Sequence, residues 1–593
     1  MHGHQGDDDS QDPKEQINYR AAFRLLYGLV LERKAPFAVA ALYMTAATLL
    51  SLMIPVITKY VIDTALPAMN SRALLGAVGA YLAVTLLYLC ANYLQVVQLA
   101  RAGQDTIVEL KRRLLRHMLS QDLEFYSSTP VGRLTARVQS DTSTLYALFT
   151  NTVISILNDV LMFAVAFGVM FHFNRQLALA LLPVFPALGL AGWAYARVTS
   201  PMFVKVRKIA AEVPGFLTEQ LNGISVLQAF SREADACAKM EDLNKRKFGA
   251  EMRVELYSAV FFMSIVALQP VATAAIFGYG GRLVLDGKLT VGVVVMFLLY
   301  LGYLFEPIFR LSEHLSVIQR SFSAGHRIAK ILALKPQLTE PEDPHYLASV
   351  REAIEFRNVW MRYKEDSNWV LKDISFRLPR GSSLAILGET GGGKTTVTSL
   401  LFRFYDYQKG HIEIDGTDLR RLSLGSLRAA IGLVQQDIYL FPGTVMQNLK
   451  LMDDSIPDSR VHDAIRTMGL DQFFKKHPLD KKVQEKGANL SIGEKQVISL
   501  ARAMVLDQEV LVLDEATSNM DPHTERAITG AIKTLIKHKT VIVIAHRLST
   551  VRSADRIMMI SGGEVREIGS HDELLAQGGL YSKYYKLQFG EAA

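Results

Sequence analysis

Residues 388–395 read Gly388-Glu389-Thr390-Gly391-Gly392-Gly393-Lys394-Thr395, a glycine-rich run closed by a lysine and a threonine. Glycines at this density let successive backbone N–H groups converge on one point, which suits the oxygens of a polyphosphate. An apolar strand-like run, 383–387, enters the loop, and a helix-compatible run, 396–401, leaves it. With both flanks in place the segment reads as a P-loop, its backbone cradle reinforced by the partial positive charge of a helix N-terminus. Lys394 is placed to reach the β- and γ-phosphates, and Thr395, beside Thr396, to hold Mg²⁺. Further on, Glu509-Val510-Leu511-Val512-Leu513-Asp514-Glu515 forms an apolar strand that ends in two carboxylates. Asp514 is placed to hold Mg²⁺ through water, and Glu515 to polarise an attacking water as general base. The chemistry implied is binding and hydrolysis of a nucleoside triphosphate.

Between these motifs stands Leu490-Ser491-Ile492-Gly493-Glu494, followed by Lys495-Gln496 and an Ala501-Arg502-Ala503 stretch. This segment resembles the LSGGQ signature of ATP-binding cassettes, and the resemblance covers residues 350–593 with its parts in order. By that resemblance Tyr363, in Phe356-x-x-Val359-x-x-x-Tyr363, stacks on adenine, and Gln436 is the Q-loop glutamine, serving metal and attacking water. Ser518-Asn519-Met520-Asp521 matches the D-loop, and His546 matches the switch histidine. The implied nucleotide-contacting set is Tyr363, the loop Gly388, Glu389, Thr390, Gly391, Gly392, Gly393, Lys394, Thr395 and Thr396, and the signature's Ser491, Gly493 and Glu494. Glu515, His546 and Gln436 are the implied catalytic residues; Thr395, Gln436 and Asp514 hold the metal; ATP and Mg²⁺ are the implied cofactors.

The elements that must carry this chemistry follow from composition. The chain has 593 residues, half of them hydrophobic, and the apolar excess is concentrated in its first half. Six apolar stretches, near 36–60, 74–98, 148–172, 177–197, 257–281 and 290–311, can each hold a bilayer-spanning helix of about 20 residues. The connections after the first, third and fifth are poor in Lys and Arg, whereas the loops between are rich in them: Arg101, Lys111, Arg112, Arg113, Arg116, Arg133 and Arg137 in one, Lys205, Arg207, Lys208 and Arg232 in the next. By the positive-inside rule those loops, both termini and the cassette face the cytoplasm. The net charge of +7 therefore reports membrane orientation, with no nucleic acid among the partners. Cys90 and Cys237 fit neither a disulfide framework nor a metal cluster.

The expected organisation is multi-domain. A disordered polar N-terminus (1–18) precedes an all-α six-helix transmembrane domain with cytoplasmic coupling loops (19–335), which opens on an amphipathic helix near 19–33. A linker (336–349) leads to an α/β P-loop ATPase nucleotide-binding domain (350–593). The stretch 98–147 is too long for a turn and helix-permissive almost throughout; Asp122-Leu123-Glu124-Phe125-Tyr126 lies at its tip. That tip, Thr218–Ile224 in the next loop, and Ala324-Gly325-His326-Arg327-Ile328 look like parts of exporter-type ABC transporters. The chain thus resembles a half-transporter over essentially its whole length. In that family a signature contacts ATP held on another cassette's P-loop, so a chain with one cassette must dimerise.

The signature departs from the family pattern: Ile492 replaces glycine and Glu494 replaces glutamine. A β-branched side chain resists the close approach glycine permits, and Glu494 brings negative charge toward the polyphosphate. Beside an intact hydrolytic set, this points to one subunit of a heterodimeric exporter; a homodimer tolerating the variant is the alternative. Cargo is marked only by ionisable residues in apolar spans. Asp159 is mid-way in the third and Glu306 late in the sixth, before Pro307. Two carboxylates there suit a cationic amphiphile; the other reading makes Asp159 a structural pair with a neighbouring helix and puts Glu306 at headgroup level. The expected function is ATP-driven efflux of hydrophobic or amphipathic compounds, cations included, across a bacterial inner membrane whose lipids surround the spans. A lipid flippase or peptide exporter of the same architecture is the alternative, and a non-transporting ATP-gated protein a remoter one.

Overall fold

The computed structural model describes residues 18–364, 366–514, 522–545 and 548–589; Glu515, the D-loop residues 518–521 and His546 lie outside the described residues. The chain parts into two compact units. One comprises the residues up to Ser120 together with Pro130–Leu334; the other comprises Gln121–Thr129 and everything from Lys335 on.

The first unit is helical. Its elements are α1 (Tyr19–Glu32), α2 (Lys34–Ala65), α3 (Ser71–Leu119), then after α4 (Leu123–Ser128) of the other unit, α5 (Val131–Phe173), α6 (Arg175–Asn222), α7 (Ile224–Ala229), α8 (Glu233–Leu285) and α9 (Val291–Ala333). The six expected spans fall in α2, α3, α5, α6, α8 and α9. Among the described residues, five of these are long and apolar enough to cross a membrane. Asparagines start three of the helices: the Asn18, Asn70 and Asn174 side chains accept from Ala21, from Arg72 and Ala73, and from Leu177 N–H groups, satisfying donors that the first turn leaves without an intrahelical partner. At 49 residues α3 runs about 70 Å, far beyond a hydrocarbon layer of about 30 Å. Pro307 does not end α9, which continues unbroken to Ala333.

Side chains in this unit reverse the usual soluble pattern. Leu42, Leu75, Leu86, Leu190 and Val260 are exposed on its outside, as lipid-facing helices require. Inside, Phe297, Tyr300 and Phe305 of α9 pack with Met170, Leu177 and Ile265, and the Tyr300 hydroxyl donates to the Leu52 carbonyl at 2.6 Å. Two carboxylates tie α9 to its neighbours. Asp141, 5% exposed, accepts from Arg327 Nε at 3.0 Å and also from its Nη2, with Arg137 a turn away. Asp63, at the end of α2, accepts from the Thr290 hydroxyl at 2.5 Å and from Gly292 N–H at 2.7 Å. Asp63 thereby caps α9 from another helix, and a Cβ on Gly292 would stand 2.6 Å from its carboxyl carbon.

The second unit is an α/β domain. Its strands are β1 (Ala353–Met361), β2 (Leu371–Pro379), β3 (Ser383–Gly388), β4 (Lys409–Ile414), β5 (Thr417–Asp418), β6 (Ile431–Val434) and β7 (Gly443–Thr444). Then come β8 (Lys482–Val483), β9 (Val510–Asp514), β10 (Thr540–Ile544), β11 (Arg556–Ser561) and β12 (Glu564–Gly569). A six-stranded sheet runs β12-β11-β3-β10-β9-β6, parallel except for the β12 edge, beside a four-stranded antiparallel sheet β2-β1-β4-β5. The near-continuous apolar runs of β3, β9 and β10 reflect burial on both faces. Leu387, Leu513 and Val543 enter one core, Ile386, Val512 and Ile542 the other.

One segment departs from the expected bounds, and the linker takes a definite place. The 121–129 tip, expected with the membrane half, packs within the second unit: Asp122 accepts from Gln337 and Leu338 N–H groups at 2.5 and 3.2 Å. The stretch expected as the linker is zipped to the cassette, His345 N–H donating to Arg421 O and Ser423 N–H to His345 O, both at 2.9 Å. Peptide groups left unpaired beside a sheet are costly, and these bonds satisfy them.

Removing the Asp63 cap leaves α9 donors without partners. Asp63→Ala should lower stability by about 1–3 kcal/mol, read as a fall in the unfolding temperature of the detergent-purified protein. Asp63→Asn, which keeps one acceptor oxygen, should lose less.

Candidate functional site

Strand β3 ends at Gly388, and the loop delivers Lys394 into the first turn of the helix Lys394–Leu401. Two glycines make the loop possible. Gly388 has φ +152°, and a Cβ there would collide with the Ile560 carbonyl of β11. Gly393 has φ +101°, and a Cβ there would stand 2.6 Å from Leu371. L-residues rarely adopt such backbone angles.

The loop borders a cavity of about 570 Å³ at the carboxyl ends of β3, β9 and β10, the edge at which open α/β sheets bind ligands. Thr390, Gly391, Gly393, Lys394, Thr395 and Thr396 line it from the loop and helix, joined by Tyr363, Gln436 and Asp514 from three other places in the sequence. Gly388, Glu389 and Gly392 shape the loop behind. Lys394 is buried, and its Nζ donates to the carbonyls of Gly388 and Glu389, both at 2.8 Å. Burial pushes its ammonium below the ordinary lysine range, while the Asp514 carboxylate pulls it back. The lysine is therefore held across the cradle by the loop's own carbonyls, on the wall of the cavity where phosphates would enter.

The residues present fit Mg²⁺. Thr395 offers a hydroxyl at the helix start, Asp514 a carboxylate across the cavity and Gln436 an amide oxygen. Mg²⁺ takes one or two protein oxygens and fills its remaining positions with phosphate and water. When bound it would neutralise charge on the β- and γ-phosphates.

Tyr363 is half-exposed on the cavity, its hydroxyl 2.9 Å from the Thr396 hydroxyl. Its free face suits a base. Tyr405 stands edge-on to it at 4.9 Å, and burial pushes the Tyr405 phenol above its ordinary range while a hydrogen bond with Ser127 of α4 opposes the shift. The ring expected to hold adenine is thus one side chain away from the 121–129 segment. Sequence reasoning missed Tyr405, which carries no motif of its own.

The signature residues lie elsewhere. Ser491 caps the helix Ile492–Leu506 in a capping box: its hydroxyl accepts from Glu494 N–H at 3.2 Å, and Glu494 Oε2 accepts from Ser491 N–H at 2.7 Å. Ile492 is 63% exposed. Glu494, expected to bring negative charge toward the polyphosphate, has its other oxygen 3.0 Å from His477 Nδ1, and its side chain is mostly covered. The serine–x–x–glutamate spacing signalled the capping box in the sequence; nothing local signalled His477.

Asp159 and Glu306 come together on a second cavity, of about 600 Å³, inside the first unit. The two carboxylates meet different surroundings there, and Asp159 stands as the second of the two readings has it, paired with a neighbouring helix. Asp159 is buried and accepts from Arg310 Nη2 at 2.7 Å, with His314 Nε2 at 3.7 Å from its other oxygen. Glu306 remains 63% exposed, 3.6 Å from Arg310 Nη1. A lone carboxylate in this surrounding would be costly, and the guanidinium compensates it. The signal was present in the sequence: Glu306, Arg310 and His314 recur every four residues, one helical face.

Similarity to known proteins agrees with this arrangement. Residues 37–308 match the ABC transporter transmembrane region and residues 371–518 the ABC transporter family. An uncharacterized ABC transporter ATP-binding protein of Bacillus subtilis, YknV, is 33% identical over 98% of this chain and 96% of its own length. An ATP-dependent lipid A-core flippase of Syntrophus aciditrophicus is 32% identical over 96% of this chain and 95% of its own. The structure of a bacterial Atm1-family ABC exporter with ATP bound superposes with a TM-score of 0.77 at 26% identity, covering 95% of this chain and 99% of that one.

Two outcomes test the geometry. Lys394→Ala should weaken equilibrium ATP binding by about 10–100-fold, the loss of one or two charge-assisted contacts. Arg310→Gln should cost about 1–3 kcal/mol by stranding Asp159, and adding Asp159→Asn should recover most of the folded yield, measured by size-exclusion chromatography.

Proposed function

The chain belongs to the ABC transporter family as an exporter-type half-transporter, a multi-pass membrane protein coupling ATP hydrolysis to transport, and from that premise we propose a specific division of labour. It is one subunit of a dimeric exporter in a bacterial inner membrane, with termini and cassette in the cytoplasm. Tyr363 stacks the adenine, the 388–396 loop holds the phosphates, and Asp514, Thr395 and Gln436 hold Mg²⁺. Glu515 takes the proton of the attacking water and His546 orients the γ-phosphate. A partner cassette supplies the signature that closes this site. The observation that carries the reading is the single cavity into which nine of these residues project, in a chain that also has membrane-length apolar helices.

The partner is a different cassette protein. Ile492, exposed at the helix start, blocks the close backbone approach that glycine allows, while the chain's own hydrolytic set is complete in sequence. Such a chain is best served by a partner with a consensus signature.

The cargo is an amphiphile with a polar head. The second cavity is lined by Asn92, Gln95, Asn151, Asn158 and other hydrogen-bonding groups, with Glu306 as its exposed carboxylate. With Asp159 occupied by Arg310, Glu306 is the group left to attract a cationic centre. A lipid flippase is the second reading, favoured by the same polar lining, which suits a lipid headgroup.

Glu515→Gln should cut ATP turnover by about 10²–10⁴-fold, the scale of a general base, with ATP binding retained; turnover at the wild-type rate would remove Glu515 from that role. Native purification should bring down a second, different cassette protein, whereas robust cargo-stimulated hydrolysis by the chain alone would show a homodimer. Glu306→Gln should reduce stimulation of turnover by cationic amphiphiles more than by neutral ones.

A further inference from the structure

We infer that Gln408, which belongs to none of the motifs, is a positioning residue for the base of the bound nucleotide. Its side-chain amide extends the pairing of β1 with β4 by one residue and so fixes the backbone from which Tyr363 departs. The inference rests on the reading above in which Tyr363 stacks on adenine.

Strand β1 ends at Met361, and β4 begins at Lys409. Trp360 pairs with Lys409, and Gln408 N–H donates to Trp360 O at 3.0 Å. In an antiparallel pair every second residue turns its N–H and C=O toward the same neighbour. Arg362 is therefore the next residue of β1 to face β4. No strand meets it there, because residues 402–408 run as turns and bends.

The Gln408 side chain takes the missing strand's place. Arg362 N–H donates to Gln408 Oε1 at 2.9 Å, and Gln408 Nε2 donates to Arg362 O at 3.1 Å, with Asp406 O at 3.5 Å from the same nitrogen. This orientation of the amide pairs donor with acceptor at both places. A primary amide carries the donor and the acceptor of a peptide group; a carboxylate would lack the donor, and a hydrocarbon would lack both. Met361 faces the other way, and its carbonyl accepts from Val370 N–H at 2.9 Å. The Arg362 guanidinium adds a further restraint, 4.8 Å over the Trp369 ring. The two residues before Tyr363 are thus held from opposite sides.

The consequence falls on Tyr363. Aromatic stacking is favourable over a narrow range of offset and separation. A site keeps a tolerance of about 0.5 Å only when surrounding hydrogen bonds lock the residues that form it. The Tyr363 ring meets Tyr405 edge-on and its hydroxyl meets Thr396, whereas its backbone is steadied through Arg362. Tyr405 and Gln408 stand three residues apart, so one short segment holds both the ring and the chain that carries it. Gln408 itself stands outside the lining of the nucleotide cavity, so its influence on nucleotide runs through Tyr363.

The test uses the assembled transporter with whichever partner co-purifies. The KM for ATP is measured beside inhibition by inorganic tripolyphosphate, which has phosphates and no base, and beside the unfolding temperature. Gln408→Met keeps the side-chain length and removes both hydrogen bonds; Gln408→Ala is a second removal should the first fold poorly. Either should raise the KM for ATP about three- to tenfold, the loss of one or two hydrogen bonds, and leave inhibition by tripolyphosphate within about twofold of wild type. Tyr363→Ala should raise the KM by about 10–100-fold, and adding Gln408→Met to it should change the KM by less than about twofold. An unchanged KM in the folded Gln408 variants, an equal loss of tripolyphosphate inhibition, or a full additional loss on top of Tyr363→Ala would each overturn the inference. Tyr363→Ala alone checks the premise: if it leaves the KM for ATP unchanged, the assignment of Tyr363 to the base fails, and the inference with it.

Discussion

Hydrocarbon offers a peptide group no hydrogen-bond partner, and much of this chain's architecture follows from that fact. Every segment that crosses must be a helix satisfying its own backbone, so the first unit is built of long helices whose polar side chains turn back onto nearby carbonyls or onto one another. Thr48 bonds Met44 O and Asn158, and Tyr300 bonds Leu52 O. A phosphate cradle needs the opposite: backbone N–H groups left free by glycines at positive φ. It is therefore built on a sheet edge in a separate unit. The 121–129 segment follows from this division. It lies in sequence within the membrane half but packs in the cassette unit, one aromatic ring from the expected adenine site.

The same economy governs charge. Asp159 is compensated by Arg310, Asp141 by Arg327, and Lys394 lies against two loop carbonyls with Asp514 near. In each case a charge that would be costly alone is held in one direction. For Lys394 that direction is its own loop, on the wall of the cavity, and for Asp159 it is a neighbouring helix. The identical residue type, carboxylate, thus has opposite meanings at Asp514 and Asp159. The first lines the cavity beside the phosphate loop, and the second is met by Arg310.

Local pattern was enough for much of this protein. The P-loop, the buried strands β3 and β9, the six apolar spans and the Ser491–Glu494 capping box each depend on residues close together in the chain, where spacing determines periodicity and backbone freedom. The family resemblance added Tyr363 and Gln436, and the fold brings them to the same cavity as Lys394 and Asp514. What only tertiary structure decided is which partner each charged or aromatic side chain meets. Arg310 reaches Asp159 across 151 residues and Asp63 reaches Gly292 across 229. Likewise His477 turns to Glu494, and Tyr405 stands between Tyr363 and Ser127. Such pairings are set by the packing of whole helices and sheets, because a charge or a ring takes whichever neighbour the fold brings within a few ångströms. Sequence alone therefore determined which motifs the chain carries, while the fold decided which neighbours its carboxylates meet.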